Sequence, residues 1–416
     1  MSTSAGTELG RTRVNLVLTV LFLGAFVVGS AELVVVGILN LISKDLAVST
    51  STAGTLVTAY ALGISIGGPI LTAVSIKFGR RILLWVALGA YVAGNLIAVL
   101  AANYGMLILA RVITGALHGL FIGVAFAVAA AVVPPERMGR AISVVFGGIA
   151  VATALGVPLG TLIGQSLGWR ATFVAIVIVG AVVLVASLIV VPQVPNHGIG
   201  GFTAQARHAL APRVLAVLGL GLLVMGGQFA ALTFLTPYLQ QVTGISGGLI
   251  SVFLLAYGVA NAVGTFAGGW AADKSARVTL VVANAVLIVA LAVLYVGGRM
   301  PIVVALALVV WGLVGFGLVP SLQYRVVSLA GPGRDFAATL PASAVTLGIA
   351  IGSLIGGWAL SGHGPKGAVI TGLIICAVAL PVAWLTGLLK APTSEQTVSV
   401  SITDAGAASA AEPVNN

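Results

Sequence analysis

The chain has 416 residues, 59% of them hydrophobic and 7% charged, with a mean hydropathy of +1.18, whereas a soluble globular chain carries roughly 25% charged residues. That composition excludes a water-soluble fold and predicts an integral membrane protein. The formal charge of +10 comes from nineteen Lys and Arg residues scattered between apolar runs, which leaves no contiguous basic face for nucleic acid, and a lone cysteine, Cys376, excludes an intrachain disulfide or a cysteine-built metal site.

Val14 to Leu39 is the first apolar run. At 1.5 Å per residue it rises roughly 39 Å, enough to cross a hydrocarbon core of about 30 Å, and it is too long for the apolar core of a cleaved signal peptide. Glu32 interrupts it. A carboxyl at that depth costs several kcal/mol unless it is protonated, paired or facing water, so it marks a functional site. Further runs follow at about 52–75, 82–102, 104–132, 140–164 and 171–191. A more polar stretch, 192–212, reads as a linker between two bundles, 14–191 and 213–389. The second bundle has runs at about 213–236, 247–271, 278–297, 301–324, 336–360 and 367–389. Residues 1–13 form an N-terminal segment, and 390–416 a polar tail whose composition predicts disorder.

The basic residues sort by loop. With a cytoplasmic N-terminus, fourteen fall on that side and four on the other, with Arg111 inside a span. The positive-inside rule therefore puts both termini in the cytoplasm. The halves also repeat: Ala59-Tyr60 and Ala256-Tyr257 lie 197 residues apart, and Gly160-Thr-Leu-Ile-Gly164 and Gly352-Ser-Leu-Ile-Gly356 lie 192 apart. Parallel repeats of this kind place a substrate site at mid-depth between the halves. Glycine is abundant, 55 residues, which predicts close helix packing in lipid.

Within the spans, Glu32 and Arg111 each lie eight residues from the same membrane face, counted from Asn40 and Asn103. A guanidinium in lipid needs an anion or a water-lined face, so Glu32 is its expected partner; bonding of Arg111 to backbone carbonyls, with Glu32 solvated separately, is the alternative. His118 follows Arg111 by seven residues and shares its helix face. It is either a proton carrier or a packing histidine. Gln228, Phe229, Phe234, Tyr238, Tyr257 and Asn261 are candidates for the lining of a substrate cavity, with helix packing as the alternative for the aromatic ones. The chain shows no G-x-x-x-x-G-K-[ST] phosphate loop, H-E-x-x-H helix or G-x-S-x-G elbow, so neither ATP use nor an enzyme is expected.

Several motifs carry a family resemblance. The loop after the second run reads Lys77-Phe-Gly79-Arg80-Arg81, and the loop after the eighth reads Gly269-Trp-Ala-Ala-Asp273-Lys274-Ser-Ala-Arg277. These resemble the G-x-L-a-D-r-x-G-r-r loops of the major facilitator superfamily, although Ile76 stands where the first loop's acid belongs and Ala276 replaces the second loop's later glycine. The resemblance implies a gate latch from these basic residues and Asp273. Arg111-Val-Ile-Thr-Gly115 is similar to the family's R-x-x-q-G motif, linked there to proton coupling, and Gly156-Val-Pro158-Leu-Gly160-Thr-Leu-Ile-Gly164 is similar to its antiporter motif G-x-x-x-G-P-x-x-G-G. Gly168-Trp169-Arg170 and Val319-Pro320-Ser-Leu-Gln323-Tyr-Arg325 resemble the twelve-span drug:proton antiporter branch, with its sugar-efflux, arabinose-efflux and chloramphenicol-exporter-like members.

The resemblance implies an all-α fold of twelve transmembrane helices in two pseudo-symmetric six-helix bundles. It implies a monomer in a bacterial inner membrane, exporting a small organic molecule such as a drug or sugar by proton antiport and alternating access. The proton gradient would be its energy source, without a cofactor. Import of a metabolite by proton symport or facilitation is the alternative, and a non-transporting sensor a more distant one.

Overall fold

The computed structural model describes residues 11–75, 78–134, 137–194, 210–331, 337 and 340–390. Lys77, most of the linker and the tail after Lys390 lie outside them. Every regular element among the described residues is a helix, with no strand.

The first six spans are α1 (Arg11–Asp45), α2 (Thr50–Thr72), α3 (Arg80–Val99), α4 (Tyr104–Ala131), α5 (Ala141–Leu167) and α6 (Trp169–Val190). The next four are α7 (Pro212–Leu232), α8 (Leu249–Ala272), α9 (Lys274–Gly297) and α10 (Pro301–Leu329). The last helical run, Leu340–Gly387, is divided at Gly364, whose φ of 68° only glycine adopts readily. We name its parts α11 (340–363) and α12 (365–387). Twelve spans result, as the apolar runs predict.

Helix ends follow local chemistry. Ser49 and Asn103 cap α2 and α4 with side-chain oxygens that accept from the amides of Thr52 and Met106. Pro212 and Pro301 open α7 and α10, where a missing N–H costs nothing. α1 extends past its apolar run at both ends, to Arg11 and Asp45, because charged residues continue a helix readily once it leaves the hydrocarbon. Among the described residues, π-turns interrupt α2 at Gly63–Gly67, before Pro69, and α5 at Ala152–Gly156, before Pro158, and a third, Leu239–Thr243, follows Pro237 between α7 and α8. The first two precede a proline that donates no amide hydrogen, which lets the ladder slip by one residue.

Glycines set the packing in both halves at one register. A β-carbon built at Gly156, Gly160 or Gly164 of α5 would run into Ser30, Val34 or Ile38 of α1. At Gly348, Gly352 or Gly356 of α11 it would run into Leu222, Gly226 or Ala230 of α7. Every partner in the second set lies 192 residues beyond its counterpart in the first. A second seam repeats at 197: Gly115 meets the backbone of Tyr60, and Gly312 that of Tyr257. The sequence repeat is thus a contact repeat, and it gives the pseudo-symmetry of the two bundles.

Twelve crossings bring Arg11 and Lys390 to one face, the terminal face; the other is the distal face. Toward the distal face the halves are joined. Ser51 Oγ donates to the Gly357 carbonyl at 2.6 Å, Thr58 Oγ1 to that of Ala350 at 3.2 Å, and Thr236 Oγ1 to that of Val36 at 2.6 Å. Phe234, at the break that ends α7, inserts its ring between Gly54 of α2 and Gly357 of α11.

Candidate functional site

The polar residues inside the first bundle converge on one cluster. Arg111 of α4 is 1% exposed. Its guanidinium donates to the carbonyls of Ala31 at 2.7 Å, Glu32 at 3.1 Å and Leu56 at 3.4 Å, and its carbon lies 3.9 Å from the centre of the Tyr60 ring. A buried guanidinium is tolerated when its fork of donors is satisfied and a ring face offers further attraction. Arg111 and Glu32 are therefore level in the membrane, as their spacing predicts, but the expected carboxylate–guanidinium pair does not form. The carbonyl-bonded alternative is the one observed. Its physical reason is geometric: the fork reaches the backbone of α1, while the Glu32 carboxylate turns toward His118, two turns further along α4.

There Glu32 Oε2 lies 3.8 Å from His118 Nδ1, the two side chains being 17% and 6% exposed. A carboxylate–guanidinium pair, Asp45 with Arg170 at 2.5 Å, lies at the distal face. The same Nδ1 is 3.0 Å from the Tyr60 hydroxyl, which is also 3.0 Å from the Tyr91 hydroxyl and donates to the Val28 carbonyl at 3.2 Å. Five side chains from α1, α2, α3 and α4 thus form one network: Glu32, Tyr60, Tyr91, Arg111 and His118. His118 faces the acid and also meets the Tyr60 hydroxyl. In the sequence Tyr60 stands out only as a marker of the repeat, and Tyr91 belongs to no motif. The available signal was that a tyrosine deep in an apolar span must find a partner for its hydroxyl.

The second bundle has no counterpart to this charge. At the 197-residue offset Arg111 maps to Leu308 and His118 to Gly315. Tyr257, the counterpart of Tyr60, packs edge-on against Trp311, with ring centroids 5.7 Å apart. The six cavity candidates separate by their contacts. Gln228 is fully engaged within the bundle, donating to the Gly315 carbonyl at 3.0 Å and accepting from Trp311 Nε1 at 3.0 Å. Phe229 packs against Phe316, Phe234 seals the two halves, and the Tyr238 hydroxyl donates to the Leu294 carbonyl. These four are engaged in helix contacts. Tyr257 and Asn261, one turn apart on α8, differ: both are buried, and the Tyr257 hydroxyl and Asn261 Oδ1 have no hydrogen-bond partner among the described residues. Such orphaned groups are rare enough to call for a ligand or water.

The loop residues form no acid–base latch among the described side chains. Arg80 donates to the Ala127 carbonyl at 3.2 Å, Arg81 stacks over Trp85 at 4.4 Å, Lys274 sits 3.7 Å over Trp270, and Arg277 lies against Gly387. Gly79 caps α3 with open space around it. Lys77 and the side chain of Asp273 lie outside the described residues. The motif glycines Gly156, Gly160 and Gly164, with the π-turn before Pro158, form the α1–α5 seam that carries Glu32 past α5.

Comparison with known proteins supports the same grouping. The model of the Major Facilitator Superfamily matches residues 21–338 and 218–409. The inner membrane transport protein YdhP of Escherichia coli (strain K12) is 31% identical over 90% of this chain and 96% of its own. The chloramphenicol resistance protein of Streptomyces lividans is 32% identical over 86% of this chain and 92% of its own. The crystal structure of a bacterial homolog to the human lysosomal transporter Spinster, inward-facing and unoccupied, superposes with a TM-score of 0.76 at 16% identity, covering 91% of this chain and 98% of that one. The protein is a multi-pass membrane transporter and not an enzyme, and it belongs to the major facilitator superfamily.

Proposed function

We propose that the protein exports a small organic molecule in exchange for protons. The observation that carries this reading is the position of Glu32, an acid deep in α1 whose carboxylate lies beside His118 and whose backbone carbonyl is bonded by the fixed positive charge of Arg111. Ionised, Glu32 is held by the field of Arg111 and by His118; protonated, it loses that attraction. A residue so placed couples its proton to the packing of α1 against α4. No cofactor enters the scheme: a unit charge crossing the membrane gains about 2.3 kcal/mol per 100 mV, enough to drive concentrative work.

Export as the direction draws on the α1–α5 glycine seam, whose sequence is similar to the antiporter motif, and on the drug-resistance relative. Tyr257 and Asn261 are the polar contacts proposed for the substrate, because their unpartnered atoms suit a neutral or weakly charged molecule. The distal contacts of Ser51, Thr58, Phe234 and Thr236 give one closed gate. In this reading the terminal face is cytoplasmic, the membrane is the bacterial inner membrane, and Asp273, Lys274 and Arg277 with Lys77, Gly79, Arg80 and Arg81 latch the other gate.

Everted membrane vesicles with an imposed pH gradient test the reading, with radiolabelled chloramphenicol and arabinose as first probes. Uphill accumulation that needs an acid interior and collapses with a protonophore is the expected result. Accumulation driven only when protons run with the substrate would replace export by symport.

A further inference from the structure

The network around His118 contains one group whose hydrogen bonds can be arranged in two ways, and the choice depends on the tautomer of the imidazole. The Tyr60 hydroxyl has one proton and faces three partners: the Val28 carbonyl at 3.2 Å, Tyr91 Oη at 3.0 Å and His118 Nδ1 at 3.0 Å. A carbonyl only accepts. When Tyr60 donates to Val28, its oxygen is left to accept from both Tyr91 and His118, so Nδ1 must carry the imidazole proton. When Nδ1 is bare, Tyr60 or another donor must supply a proton to it, and the ring proton must sit on Nε2.

The second donor available to Nδ1 is Glu32, 3.8 Å away. An ionised carboxylate favours a proton on the nitrogen that faces it. A protonated carboxyl is itself a donor and needs that nitrogen bare. The two protonation states of Glu32 therefore demand opposite tautomers of His118. Tyr60, which both gives and takes, already stands at hydrogen-bond distance, 3.0 Å, from Nδ1 and suits either tautomer, whereas the Glu32 carboxyl at 3.8 Å has yet to close the gap.

We propose that Tyr60 is a positioning residue for proton coupling: by giving or taking one hydrogen bond at His118 Nδ1 it lets the imidazole change tautomer in step with the protonation of Glu32. This rests on Glu32 as the coupling acid. The step balances. One proton is taken from water at Nε2, the proton on Nδ1 passes to Glu32 Oε2 as the carboxyl swings across the gap, and the ring begins and ends neutral. On return the Glu32 proton goes back to Nδ1 and the Nε2 proton leaves. The groups facing the ring are Glu32 from α1, Tyr60 from α2, Tyr91 from α3 and Arg111 from α4 itself. Helix α11, which packs on α2, has no titratable residue from 340 to 360. The other charges of α1 and α3, namely Arg11, Arg13, Lys44, Asp45, Arg80 and Arg81, sit at the helix ends, and α5 from Ala141 to Leu167 has no charged residue.

The experiment is ¹⁵N NMR of histidine-labelled full-length protein in bilayers across a pH titration, with the His118 signal assigned by its loss in His118→Asn. Nitrogen shifts report which ring nitrogen carries the proton, and no substrate is required. Carboxyl infrared bands assigned with Glu32→Gln follow Glu32 in the same samples. In the unmodified protein His118 is expected to pass from the Nδ1–H to the Nε2–H form as Glu32 protonates; in Glu32→Gln it holds one form throughout. Tyr60→Phe is expected to move the midpoint of the change by about one pH unit, the effect of one lost hydrogen bond. Tyr91→Phe, which leaves the Tyr60 hydroxyl in place, is expected to move it less. A tautomer that stays fixed while Glu32 titrates, or a change that Tyr60→Phe leaves untouched, overturns the proposal for Tyr60 while leaving Glu32 as the acid. If no infrared band depends on Glu32 at any pH, the underlying reading fails instead.

Discussion

At the scale of single residues, the decisive feature is that a cation, an acid and an imidazole share one level of the first bundle without a direct cation–acid bond. Arg111 is held by three carbonyls and a ring, so its removal is structural as well as electrostatic. We expect Arg111→Ala to lower the thermal midpoint of the detergent-solubilised protein markedly, since each charge-assisted hydrogen bond contributes about 1.5–3 kcal/mol. Arg111→Lys, which cannot present a fork to three carbonyls, is expected to recover only part of that loss. Scanning fluorimetry decides this, and equal stability of Arg111→Ala and the unmodified protein would remove the three bonds from the account. Glu32, Arg111 and His118 were legible in the sequence because polar residues stand out in apolar runs. Their pairing was not legible, because depth along a helix is a matter of counting whereas the rotation of a carboxyl toward α4 depends on side chains from four helices. For the same reason Gln228 read as a cavity residue, though its amide is taken up by Trp311 and Gly315.

At the scale of the helices, the twelve spans followed from apolar runs alone, since lipid demands that backbone polar groups be satisfied within each segment. The runs also encode the break between α11 and α12; what they do not encode is that a single glycine at positive φ makes it, nor the π-turns near proline. The glycine seams were half legible: the repeat at an offset of 192 was visible, but its partners on α1 and α7 were not, because those positions are occupied by Ser30, Val34, Ile38, Leu222, Gly226 and Ala230, which share no pattern. Gly352 faces the backbone of Gly226, which cannot move aside as a side chain can. Gly352→Val is therefore expected to destabilise by several kcal/mol, in the range of severe overpacking, whereas Gly269→Val, with open space around it, should be near neutral. Folded yield and thermal midpoint of the two variants test this, and similar values for both would contradict the seam.

At the scale of the whole molecule, the two halves have similar contacts and dissimilar chemistry: charge in the first, unpartnered neutral groups in the second. The distal contacts should open and close during the cycle. A β-carbon built at Gly357 lies 3.0 Å from Ser51 Oγ, a separation suited to a disulfide. Ser51→Cys with Gly357→Cys, with the buried Cys376 replaced by Ser, is expected to cross-link under oxidation and stop transport, and reduction should restore it. Transport that continues in the cross-linked protein would show that the distal face need not open. The central claim is that the proton carried in exchange for substrate binds at Glu32. Its most direct test is uphill transport in vesicles with an imposed pH gradient, comparing the unmodified protein with Glu32→Gln. The account predicts that Glu32→Gln still equilibrates the probe down its own gradient but no longer accumulates it; accumulation by Glu32→Gln at the unmodified rate would contradict the account.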